Sequence, residues 1–81
     1  MRITVECYGP ARRLAGSERL ALTLAEPATV ADALALLAER GDELAQLLRQ
    51  CAVAIGDEIV RRTHPLKSGD AIALLPPVAG G

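Results

Sequence analysis

The chain of 81 residues has no phenylalanine or tryptophan and a single tyrosine, Tyr8. Without aromatic rings its core must be filled by Leu, Ile, Val and Ala, which make up most of the 51% of residues that are apolar. That content marks a globular rather than a disordered chain. The same scarcity removes any aromatic platform on which bases could stack, and no basic run replaces it. Nine basic and ten acidic residues leave a formal net charge of −1, so no nucleic-acid partner is expected. Cys7 and Cys51 are the only cysteines and His64 the only histidine, too few spaced ligands for a zinc site. No metal is expected, and both cysteines read as buried thiols in predicted strands rather than as a disulfide. His64 precedes Pro65 in a loop with no spaced Ser, Cys or Asp partner, which leaves no support for triad or general-base chemistry. No segment approaches the ~20 apolar residues that span a membrane. The opening Met1-Arg2-Ile3-Thr4-Val5-Glu6 alternates polar and apolar residues and so lacks a signal-peptide apolar core. A cytoplasmic protein with no membrane partner is expected.

What is present reads as one small domain, able to bury roughly 60–65% of its extended-chain surface. From Arg2 to Tyr8, Ile3, Val5 and Cys7 fall on one face, and Arg2, Thr4, Glu6 and Tyr8 on the other, the period of a half-buried strand. Gly9-Pro10 breaks it. Ala11 to Ala15 then forms a short helical turn closed by Gly16, and alternation resumes from Glu18 to Leu24 with Leu20, Leu22 and Leu24 inward, giving a hairpin with an inserted turn. Thr29 caps a helix whose stripe is Val30, Ala33, Leu34, Leu37 and Ala38, with Asp32 favouring its N-terminal dipole and Gly41 at its C′ position. Leu44, Leu47 and Leu48 continue a helical spacing. Ala52–Ile55 and Glu58–Val60 flank Gly56-Asp57 as a tight hairpin, and Ala71–Leu75 is the last strand, with Leu75 outward. The order suggests an α+β architecture, a mixed sheet packed on one main helix.

Inside this body no nucleotide, metal or covalent-nucleophile constellation stands out. Lys67-Ser68-Gly69 lacks the glycine-rich approach and the following helix of a phosphate loop. Arg12-Arg13 and Asp57-Glu58 read as solvated charges. The remaining feature is the end of the chain, Leu74-Leu75-Pro76-Pro77-Val78-Ala79-Gly80-Gly81. Pro76 and Pro77 stop the strand and stiffen the start of the tail, while Gly80 and Gly81 have no side chains and fit a narrow channel. Residues 1–75 thus read as the body and 76–81 as a flexible tail that reaches at most roughly 20 Å. On the tail alone, a frayed terminus and a reactive carboxylate are both open readings. The carboxylate is ionised at neutral pH, with a reference pKa of roughly 3.3–3.7, so any acyl chemistry requires activation by a partner.

Ala11-Arg12-Arg13-Leu14-Ala15-Gly16-Ser17-Glu18, Pro65-Leu66-Lys67-Ser68-Gly69-Asp70 and Leu74 to Gly81 together resemble the small subunit of molybdopterin synthase, the MoaD family, over nearly the full chain. The resemblance implies a ubiquitin-like β-grasp fold and a sulfur-carrier role that is not catalytic alone. Gly81 would be adenylated by a MoeB-like E1 activating enzyme using ATP, with no cofactor bound to the chain itself. It would become a thiocarboxylate with sulfur from a donor such as a cysteine desulfurase or rhodanese. The tail, Pro76, Pro77, Val78, Ala79 and Gly80 leading to Gly81, would enter a MoaE-like large subunit of a heterotetramer and give sulfur to cyclic pyranopterin monophosphate, forming molybdopterin. The family's partner-facing apolar positions fall on Tyr8, Ile59 and Leu75, of which Tyr8 and Leu75 are outward by alternation as well. Members often carry an aromatic pair and Ala where this chain has Cys7-Tyr8-Gly9, and Val-Asn where it has Ile55-Gly56. The related thiamin carrier ThiS shares the Gly-Gly end but usually lacks the Ala-Arg-x-Leu-Ala-Gly turn. A ubiquitin-like modifier conjugated through Gly81, or a ThiS-like carrier for thiamin, cysteine or tRNA thiolation, is the alternative expectation.

Overall fold

A computed structural model describes residues 1–77. Its elements are β1 (Arg2–Cys7), α1 (Pro10–Ala15), β2 (Arg19–Thr23), α2 (Val30–Ala38), α3 (Asp42–Leu48), β3 (Ala52–Ile55), β4 (Glu58–Val60) and β5 (Ala71–Leu75). The strands form one mixed sheet in the order β2-β1-β5-β3-β4. β1 and β5 run parallel at its centre, and every other pairing is antiparallel.

Each strand inherits its face from its alternation. Ile3, Val5 and Cys7 of β1, Leu22 of β2, Val53 of β3, and Ile72 and Leu74 of β5 are all buried, and with the helices they close one core. The expected inward leucines of the second strand follow the same rule. Leu22 and Leu24 are buried, while Leu20, on an edge strand, is only partly covered. Between β1 and β2 the predicted turn is the helix α1, which opens with Pro10 at its first position, where the missing N–H costs nothing. Gly16 ends it at φ 83 with its N–H bonded to the Arg12 carbonyl at 3.0 Å, a left-handed stop that a Cβ would disfavour.

α2 is the main helix and packs Val30, Ala33, Leu34 and Leu37 into the core. Thr29 and Asp32 form a reciprocal capping box: the Thr29 hydroxyl accepts from the Asp32 N–H at 3.4 Å, and the Asp32 carboxylate accepts from the Thr29 N–H at 2.8 Å. Its C-terminus differs from the sequence expectation. Gly41 is not the left-handed stop of α2 but the N-cap of α3, at an extended φ of 164. The chain leaves α2 through tightened turns, Glu39 N–H to Leu36 and Arg40 N–H to Leu37, and starts a second helix at once. Asp42 and Glu43 suit the positive end of α3, and its turn buries Leu44 and Leu48.

Cys51 also departs from expectation. It is buried, but lies in the link between α3 and β3 rather than in a strand. Arg62 secures that link by donating from Nη2 to the carbonyls of Leu48 at 2.8 Å and Cys51 at 3.0 Å. Both thiols are free. Burial pushes the Cys7 thiol up, offset in part by Arg40 and reinforced by Cys51, and burial likewise raises Cys51 against the opposing Arg62. The β3–β4 hairpin turns through Gly56 at φ 60 with Asp57 at negative φ, the pattern of a type II′ turn with glycine first. Among the described residues no helix is long and apolar enough to cross a membrane.

Candidate docking face and carboxyl-terminal exit

The second face of the sheet is uncovered by helices, and its composition is unusual for a solvated surface. Pairing registers place Ile59 opposite Ala54, Ala54 opposite Ala73, Ala73 beside Glu6, and Glu6 opposite Arg19. This row crosses all five strands. The next row toward the ends of β1 and β5 sets Ala52 against Leu75, with Tyr8 following Cys7, the partner of Leu74. An antiparallel face open to water normally carries polar residues at its outward positions. Here β3 and β5 carry Ala52, Ala54, Ala71, Ala73 and Leu75 instead. The result is a flat apolar floor with two projecting groups, Tyr8 at 48% exposure and Ile59 at 65%.

Three of the residues expected to meet a partner are therefore brought onto one face. Tyr8 and Leu75 stand side by side at the end where the tail leaves, and Ile59 lies across β3 from β5, roughly 10 Å from that strand at ordinary strand spacing. The floor of alanines between them was not singled out in the sequence. Its signal was available: in Ala52-Val53-Ala54-Ile55 and Ala71-Ile72-Ala73-Leu74 the outward positions are alanine where charge or hydroxyl would be ordinary. Ala54 is only 7% exposed yet stands outside the main core cluster, because Ile59 and Ala73 flank it in the pairing. At the β1–β2 side the face turns polar. Arg19 pairs with Glu6 at 3.5 Å and the Tyr8 hydroxyl donates to the other Glu6 oxygen at 3.4 Å, so the apolar floor has a charged rim, as interfaces do.

β5 ends at Leu75. A Cβ built on Gly9 would lie 3.9 Å from Pro76 Cγ, and Gly9 holds φ 56, so the chain leaves the sheet against the start of α1. Beside it an open cleft of about 530 Å³ is bounded by Gly9, Arg12, Arg13, Gly16, Ser17 and Glu18. Pro76 is half-buried and Pro77 exposed. Val78, Ala79, Gly80 and Gly81, also expected to act at the tail, lie outside the described residues. Among the described residues no group of three His, Cys, Asp or Glu side chains is placed to hold a metal ion.

A mixed five-stranded sheet grasping a helix, with the chain leaving beside an apolar face, defines a ubiquitin-like β-grasp protein. The ThiS family model matches residues 5–81, and the chain belongs to that family. It is 31% identical to the molybdopterin synthase sulfur carrier subunit of Chlamydomonas reinhardtii over 83 residues, covering 100% of both chains. Among solved structures it resembles the complex of subunits 1 and 2 of molybdopterin-converting factor from Helicobacter pylori, with a TM-score of 0.73 and 33% identity over 100% of both chains. It also resembles small archaeal modifier protein 1 of H. volcanii, with a TM-score of 0.79 and 26% identity over 95% of this chain and 98% of the other.

Proposed function

We propose that this chain is the sulfur-carrying small subunit of a molybdopterin synthase. The observation that carries the reading is the full-length identity of 31% to a subunit of that kind; the apolar floor beside the exit gives it a physical basis. The Gly81 carboxylate attacks the α-phosphate of ATP in a MoeB-like activating enzyme, releasing pyrophosphate. The persulfide of a sulfur donor such as a desulfurase or rhodanese then displaces AMP to form an acyl disulfide, and a second thiol cleaves its S–S bond by exchange, leaving the thiocarboxylate on Gly81 and a disulfide on the donor. A MoaE-like large subunit covers Tyr8, Ile59, Leu75 and the alanines between them and receives residues 76–81. There the sulfur passes to cyclic pyranopterin monophosphate. The domain contributes position: docking a whole face presents one sulfur at high effective concentration, while the catalytic groups belong to the partner.

Incubation with ATP, the activating enzyme and a sulfide source should raise the intact mass by the difference between sulfur and oxygen, localised to Gly81. An unchanged mass with an activator that adenylates other carriers would overturn the reading. A second reading, conjugation to protein lysines through Gly81, is favoured by the likeness to the archaeal modifier. It predicts higher-mass adducts of this chain in cell lysates, and their absence across growth and stress conditions would count against it.

A further inference from the structure

The basic residues of this chain are unevenly chosen: eight are arginine and one, Lys67, is lysine. The fold places Lys67 and the amino terminus at one pole of the sheet, where Arg2 also lies. Because β1 and β5 are parallel neighbours, their beginnings share one pole of the sheet and their ends share the other. Both primary amines sit at the first pole. The Met1 ammonium donates to the Leu24 carbonyl at 2.7 Å. Lys67 lies in the turn before β5, whose Gly69 and Asp70 bond to Arg2 and Thr4 at 2.8 and 2.9 Å.

The pole where the tail leaves is lined with guanidinium groups instead. Arg12 and Arg13 border the cleft beside Gly9 and Pro76, Arg19 opens β2 against Glu6, and Arg61 follows β4 at the level of Ala52 and Leu75. The difference between the two cations is chemical. A lysine amine deprotonates and attacks acyl groups, whereas a guanidinium stays protonated above pH 12 and delocalised, with no lone pair to offer. Aminolysis of an activated Gly81 would form a C–N bond at the carbonyl carbon. The C–O bond to AMP would break with its electron pair leaving on AMP, and the nitrogen would lose its extra proton to solvent. The product is a closed ring that carries no sulfur.

We propose that the exit pole is kept free of primary amines so that the activated carboxyl is not consumed by its own chain, and that Arg12 and Arg13 are the positions where this protection is set. The proposal deepens the carrier reading and rests on activation of Gly81. From Pro77, four residues to Gly81 reach about 14 Å, which covers the neighbourhood of α1. To meet Lys67 the tail would have to double back over the ~13 Å length of β5 and beyond it. Positive charge at the exit is thus kept while the nucleophile is withheld.

The test uses the full chain bearing a thioester at Gly81, released from an intein fusion, so that no activating enzyme is needed. At mildly alkaline pH the unsubstituted chain should revert to the carboxylate by hydrolysis. The R12K/R13K variant should accumulate a species lighter than the carboxylate by one water, on the order of tenfold above the unsubstituted chain, with fragmentation placing the new amide at position 12 or 13. R2K, at the far pole, should behave as the unsubstituted chain does. Ring closure in the unsubstituted chain as fast as in R12K/R13K would overturn the proposal. So would its absence in R12K/R13K, or in the single variants R12K and R13K, when circular dichroism shows the native fold. Pyrophosphate exchange with ATP and the activating enzyme, measured separately, reports on adenylation of Gly81 and distinguishes a failure of that reading from a failure of this one.

Discussion

Replacing Ile59 by alanine separates docking from folding. Burying a whole isoleucine side chain stabilises by about 1.5–3 kcal/mol relative to leaving it in water. Ile59 is 65% exposed in the free chain, so about a third of that sum is realised in the fold and about two thirds waits for a partner. Truncation should therefore cost the fold about 0.5–1 kcal/mol and the complex about 1–2 kcal/mol. The first figure lowers Tm by a few degrees, since about 1 kcal/mol shifts a domain of this size by 4–8 °C. The second weakens the complex roughly 5- to 30-fold. Titration calorimetry against a MoaE-like large subunit, beside thermal melts of the free chain, reads both. A Kd changed by less than about twofold, within the roughly 0.5 kcal/mol of an ordinary surface substitution, would show that the outer face is not the interface. A fall in Tm beyond about 15 °C would show that Ile59 supports the fold far more than its exposure implies.

Leu37 is fully buried on α2, so Leu37→Ala should cost about 2–5 kcal/mol in denaturant unfolding; a loss under about 0.5 kcal/mol would mean that the helix packs by another face. Leu34→Ala on the same stripe should follow it. Deleting Gly80 and Gly81 should abolish thiocarboxylate formation by mass spectrometry. Among the described residues every member of the buried core lies between Ile3 and Leu74, so Tm should hardly move, and a large drop would place the tail in the stability of the body. Cys7 and Cys51 are raised by burial above the ordinary thiol value, about 8.5. Stability from these groups is fully present below that pH. Above it the unfolded chain loses thiol protons that the folded chain keeps, so stability falls as pH rises. Urea midpoints should decline there, more steeply than in a Cys7→Ala, Cys51→Ala variant, and equal slopes would refute the assignment.

Local chemistry was legible in the sequence wherever neighbours along the chain decide it. Alternation in Arg2–Cys7, the Thr29 cap, the Gly16 stop and the Gly56-Asp57 turn depend on residues within a few positions of one another, and the structure has each of them. Gly41 misled because glycine serves the end of one helix and the start of the next equally well; only the burial of Leu44 and Leu48 selects the second use. Cys51 was read as a strand residue because the apolar run Cys51–Ile55 does not mark where the helix link ends, a boundary set by Arg62 from eleven residues away. The apolar outer face was legible only at Tyr8 and Leu75 by alternation, with Ile59 supplied by family resemblance. That Ile59, Ala54, Ala73 and Glu6 share one row is a matter of register between strands distant in sequence, which no local pattern encodes.

The central position of β5 ties the availability of the tail to the completion of the fold. β1 and β3 share no edge; each is joined to the sheet's middle only through Ala71–Leu75. A growing polypeptide that has not yet made these residues has a β1–β2 hairpin and a β3–β4 hairpin with no strand between them, and isolated hairpins are marginal in water. Closure must wait for the longest-range pairing in the chain, β1 with β5, the slow kind of contact to form. A body without β5 is then not a folded species. Translation errors that shorten the chain ahead of Ala71 yield unfolded material for proteolysis rather than an inert decoy.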